Sequence, residues 1–154
     1  MSTTPPSPHD LAQRLRWGTP QPELTGLIRA CPCAPELKAG LFLMNHDLDE
    51  AHRIAQGCTG ALGARWHALM HRHEPDLPNS KYWLRKVGES PIYPQLVLAV
   101  EKLGKAEGVA TDGKWEPERF TDQYGQGQDG DWTRDLDALE IRTLLDWCLK
   151  QEPR

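Results

Sequence analysis

The sequence predicts an all-α fold: a single domain of stacked antiparallel helical hairpins, closed as an α-α superhelix or as an irregular bundle. Three observations carry that prediction. Apolar residues recur at helical spacing in successive blocks, Gly, Pro, Asn and Asp punctuate the gaps between blocks, and the apolar/polar alternation of a half-buried strand is absent. At 154 residues the chain is long enough to bury one core without disulfides or a structural metal to hold it.

Residues 1 to 6 read as a flexible tail, followed by one helical domain over 7 to 152. In "SPHD", Ser7 is a helix cap, Pro8 occupies the first helical position and Asp10 stands where a capping-box acid belongs, so a helix should run to about Trp17 and stop at Gly18. A short helix over Glu23 to Ala30 is ended by "CPCAP". Leu37, Leu41 and Met44 then lie on one helical face, and Asp47 with Glu50 repeats the capping-box pattern at the start of a helix that Gly57 closes. Residues 61 to 88 repeat the arrangement, with a helix ending before Pro75 and another begun by Asp76 and ended by Gly88. Placing Asp47-Leu48 over Asp76-Leu77 aligns the two hairpins at an offset of 29 residues, as side-by-side copies would require. "PQLVLAVEKLGK" reads as a further helix, "GVATDGK" and "YGQGQDGD" as loops, and "WEPERFTDQY" as a short helix between them. Leu136, Leu139, Leu144, Leu145 and Trp147 mark a closing helix over Asp135 to Gln151.

A net charge of -4 disfavours generic binding to a phosphate backbone, and no nucleic-acid reading module is recognisable. No apolar run approaches the roughly 20 residues that a membrane helix needs, and "MSTTPPSPHD" lacks the basic and apolar regions of a secretion signal, so the expected location is the cytoplasm. Cys31, Cys33, Cys58 and Cys148 show no framework spacing and are expected to be reduced thiols. Six tryptophans in a modest core leave scope for an aromatic patch and self-association.

Against this background, "WHALMHRHEPDLPNSKYW" concentrates three of the six histidines and two tryptophans in one stretch. On a helical wheel Leu62, Trp66, Leu69 and Met70 form the core stripe, and His67 and His71, four apart, share another face beside Gly60, Gly63 and Ala64. Two histidines at i and i+4 can direct ring nitrogens at one ion, which makes His67 and His71 candidate zinc ligands, with a third to come from His46, His52, Glu74 or Asp76. The pattern lacks the glutamate of H-E-x-x-H. Around it, Arg65, Arg72, Lys81, Arg85 and Lys86 oppose only Glu74 and Asp76, a local positive surplus within an acidic chain. Lys81 and Arg85, beside Arg72, are a candidate anion clamp, Tyr82 a candidate hydrogen-bond donor, Asp76 a cap, and Glu74 a carboxylate able to orient His71 or Arg72.

"GLFLMNHDLDEAHRIAQ" together with "WHALMHRHEPDLPNSKYWLRKVGESPIYPQL" resembles a family of uncharacterised helical proteins from bacteria and fungi that carry an H-x-x-x-H-R-x-E-x-D-x-x-N-x-K-Y-W-x-R-x-V-G signature. "HDLDEAHRIAQ" and "PNSKYWLRKVG" are also similar to the second helices of tetratricopeptide and Sel1-like repeats, a likeness that implies partner or peptide binding.

Three functions follow as expectations. The first is a helical-hairpin binding protein with a polar, locally basic cleft, built from His67, His71, Arg72, Glu74, Lys81, Tyr82 and Arg85, for an anionic small ligand or an acidic segment of a partner. The second is a metal-dependent hydrolase in which His67 and His71 hold zinc and Glu74 serves as general base. The third is a structural or interaction protein without a ligand, in which the polar cluster specifies packing and no cofactor is needed.

Overall fold

In the computed structural model, which describes residues 4–126 and 132–152, the chain forms nine helices and one small hairpin among the described residues. The helices are α1 (Pro8–Arg14), α2 (Pro22–Ala30), α3 (Pro35–Met44), α4 (Leu48–Gln56), α5 (Ala61–His73), α6 (Leu77–Val87), α7 (Tyr93–Leu103), α8 (Pro117–Gln126) and α9 (Trp132–Gln151). The all-α class is therefore correct. Part of the expected N-terminal tail, residues 1–3, and part of the expected loop, residues 127–131, lie outside the described residues.

The core forms around α3. Seven of its ten residues are buried, including Leu37, Leu41, Phe42 and Leu43, so it is apolar all round, as a central helix must be. Gly40 allows α5 to approach. A Cβ at that position would lie 2.6 Å from Cζ2 of Trp66, a ring that is itself buried. Helix α5 packs against α3, α4 and α6, and α9 returns to pack against α3, α7 and α8, so the hairpins close into a bundle. The offset of 29 residues is realised in the starts of α4 at Leu48 and α6 at Leu77.

The two hairpin turns differ in their chemistry. Asp76 caps α6, its Oδ1 accepting the Asn79 amide at 3.3 Å, and Ser80 donates to the Ala68 carbonyl of α5 at 2.7 Å. Asp47 does not cap α4. Its carboxylate accepts from Thr25 Oγ1 at 2.9 Å and from Asn45 Nδ2 at 2.8 Å, and Glu50 pairs with Arg29 and Arg53. The expected capping box is replaced because α2 lies close enough to claim the turn. Asn45 also exchanges hydrogen bonds with the Gln21 backbone, and His46 takes φ +59° to complete the turn.

Three further boundaries depart from expectation. Helix α1 stops at Arg14 because Leu15 turns extended and buries its side chain. The stretch read as a loop at "GVATDGK" contributes to a hairpin, β1 (Ala110–Thr111) and β2 (Lys114–Trp115), paired Ala110 to Trp115 and Thr111 to Lys114. Asp112 and Gly113, at φ +50° and +74°, supply the paired left-handed conformation that a two-residue hairpin turn needs. Strands of two residues are too short to show alternation. Helix α9 begins at Trp132, three residues before the expected start.

All four cysteines are free. Burial pushes the thiols of Cys33 and Cys148 up to about 12, so neither is a thiolate at neutral pH. No helix among the described residues is long and apolar enough to cross a membrane. Among the described residues the exposed large apolar side chains are Tyr82, Leu98, Leu103 and Leu139, none of them a tryptophan.

Candidate metal centre

Helices α4 and α5 bring three imidazoles together. His67 and His71 stand one turn apart on α5, and His52 reaches them from the middle of α4. Their ring centroids are 4.7 Å apart for His67 and His71, 4.8 Å for His52 and His67, and 5.2 Å for His52 and His71. One ring nitrogen from each lies within 4.8 Å of the other two. The close approach has a local cause at Gly63, where a Cβ would sit 2.2 Å from Cβ of Cys58, just after the end of α4.

Neighbouring side chains hold two of the rings. The His67 ring stacks on Trp83 of α6, centroids 4.2 Å apart and planes inclined by 20°. His71 donates from Nδ1 to the Glu74 carboxylate, which as an anion can only accept. In the neutral ring this leaves Nε2 as the nitrogen with a lone pair, the relation found behind metal-bound histidines. Burial, followed by the neighbouring His71 and His52, pushes the His67 imidazole down to about 4, so it is neutral and ready to ligate at physiological pH. His67 and His71 are buried, while His52 is half-buried.

The residues fit a metal ion. Three imidazoles suit zinc and neighbouring divalent transition metals, and a tetrahedral ion with bonds of 2.0–2.1 Å sets its nitrogens about 3.4 Å apart. The three ring nitrogens, within 4.8 Å of one another, would have to draw together to that separation around a bound ion. His71, Glu74 and Asp76 form a second group of similar compactness. There, however, Glu74 serves His71 and Asp76 serves the start of α6.

The cationic residues do not join the histidines. Arg72 points into the bundle, fully buried, and donates from Nη1 to Asp137 and Glu140, both at 2.8 Å, and from Nη2 to Thr121 at 3.3 Å. Burial opposes its charge, but Glu140 and Asp137 hold the guanidinium protonated beyond its ordinary range. Asp137 is also bound by His73 Nε2 at 2.7 Å. Despite burial, His73 and Arg72 keep its carboxyl below the usual carboxylate range. Lys81 pairs with Asp122 at 2.9 Å and Arg85 with Glu118 at 3.0 Å, so both tie α6 to α8. Tyr82 is exposed, its ring beneath the Lys86 ammonium. Of the seven candidate ligand-binding residues, only His67, His71 and Glu74 share one cluster.

Three contributors were not expected from the sequence. Trp83 reads as core because it falls on the apolar arc of α6, and stacking on an imidazole leaves no sequence signal. Asp137 and Glu140 did leave one: they occupy the same three-and-four spacing as the buried Thr133, Ile141, Leu144 and Cys148 of α9. Acids within an apolar stripe require an internal cation, and Arg72 supplies it.

No family model, curated protein or solved structure matches the chain, so any functional reading rests on the chemistry of these side chains.

Proposed function

We propose that this chain binds one divalent transition-metal ion, zinc by ligand type, through His52, His67 and His71. The observation that supports the reading is the convergence of three imidazoles from two helices, with Glu74 behind His71. Three protein ligands leave a fourth tetrahedral position for water or a small substrate, the arrangement of catalytic rather than closed structural sites. A zinc ion there would act as a Lewis acid and lower the pKa of bound water, so metal-assisted hydrolysis is the activity class we favour. Glu74 then acts as the carboxylate that orients His71. Assignment of Glu74 as general base is not required.

Protein purified without a histidine tag and dialysed against zinc is expected to retain one ion per chain. Glu74→Gln should weaken zinc by roughly 10- to 100-fold, the usual effect of removing the carboxylate behind a ligating histidine, and His52→Ala should weaken it further. Equal zinc affinity in wild type and His52→Ala would remove the proposed centre.

A further inference from the structure

A separate cavity of about 790 Å³ opens where the α5–α6 turn meets α8 and the first turn of α9. None of the three clustered histidines lines it. Pro75, Leu77 and Pro78 give it an apolar side. Gly125 brings the α8 backbone directly against Leu77, since a Cβ at that position would lie 2.0 Å from Leu77 Cδ1.

Several hydrogen-bond donors around this cavity have no partner among the described residues. Arg134, exposed at its rim, makes no ion pair among the described residues, and the Tyr124 hydroxyl makes no hydrogen bond among them. Deeper, Arg72 spends Nη1 and Nη2 on its buried partners, but its buried Nε–H has no acceptor. A buried guanidinium N–H without an acceptor is costly. Among the described residues of the wall the one acidic side chain, Asp76, is turned to α6, accepting from the Asn79 amide at 3.3 Å and from Asn79 Nδ2 at 3.4 Å. Asp137 and Glu140 together more than offset the charge of Arg72, so the attraction for an anion is local to Arg134 at the rim, where Tyr124 adds a directional donor.

From these features we infer that the cavity binds a small molecule that carries a carboxylate or phosphate group on an apolar body, its anionic end met by Arg134 and Tyr124 and its body laid against Leu77 and the flanking prolines. This site is independent of the metal centre, with which it shares no residue.

The test is a chemical-shift titration of the full chain with benzoate and phenyl phosphate, using benzamide as the uncharged control and inorganic phosphate as the control without an apolar body. Benzoate or phenyl phosphate is expected to give saturable shifts centred on the Leu77 and Gly125 amides, and the His52→Ala variant should give the same titration. Arg134→Glu, at an exposed position that the fold does not need, should weaken binding at least tenfold, and Tyr124→Phe about threefold. Benzamide binding as tightly as benzoate would overturn the inference. So would inorganic phosphate matching phenyl phosphate, absence of saturation with either probe, or an affinity unchanged in Arg134→Glu.

Discussion

Arg72→Ala should destabilise the protein by about 3–5 kcal/mol, the usual effect of removing one partner from a buried ion pair. Asp137 and Glu140 are 1% and 0% exposed and would lose the guanidinium that both contact at 2.8 Å. The Oε2 atom of Glu140 already lacks a partner, so no reserve of hydrogen bonds is present to absorb the loss. Arg72→Lys keeps the charge but not the fork that reaches two carboxylates and Thr121, and should fall between Ala and wild type. Urea denaturation followed by circular dichroism measures both. Replacing Arg72, Asp137 and Glu140 together with apolar residues of similar volume should recover much of the loss, since burying ions is itself costly. A loss of less than about 1 kcal/mol for Arg72→Ala would mean that the network carries little of the fold's stability.

The second large effect is a loss of stability of the metal-free protein in mild acid. His67 titrates at about 4 in the folded chain against an ordinary histidine value of 6.5, so between those values the unfolded chain binds the proton and the folded chain does not. Stability is therefore at its plateau above pH 6.5 and falls as the pH drops towards 4, by about 3 kcal/mol in all from this one group. Burial, followed by the neighbouring His73, lowers His46 as well, which adds a loss of the same sign. Asp137 acts in a later window, below the ordinary carboxylate range, because its depressed carboxyl must be protonated there. Melting curves at stepped pH should show the decline, and His67→Gln should flatten the step between pH 6.5 and 4. A profile unchanged in His67→Gln would place the acid sensitivity elsewhere.

The helical class was legible because it depends on local pattern: Leu37, Leu41 and Met44 of α3 and the prolines and glycines between blocks report their roles without knowledge of the fold. The pairing of His67 with His71 was legible for the same reason, since four residues make one turn. Choosing His52 over His46, Glu74 and Asp76 as the third member was not. That choice depends on how α4 settles against α5, which Gly63 and Cys58 determine in three dimensions. His46 is instead drawn to Trp17 and His73, with centroids 4.8 Å and 5.8 Å away. The basic stretch was misleading as a surface because charge counted along a sequence ignores direction. Arg72 turns inward to α9, while Lys81 and Arg85 meet acids of α8 some forty and thirty residues away in the chain. Long-range partners of this kind leave only indirect traces, such as the acids within the apolar stripe of α9.

The most direct examination of the three-histidine centre is X-ray absorption at the zinc edge of untagged, zinc-loaded protein. Coordination by His52, His67 and His71 predicts a first shell of nitrogen or oxygen scatterers at about 2.0–2.1 Å with the outer-shell pattern of three imidazoles, reduced by one imidazole in His52→Ala. A shell of sulfur at about 2.3 Å, or one without imidazole, would put the ion on the cysteines or the carboxylates and contradict the assignment.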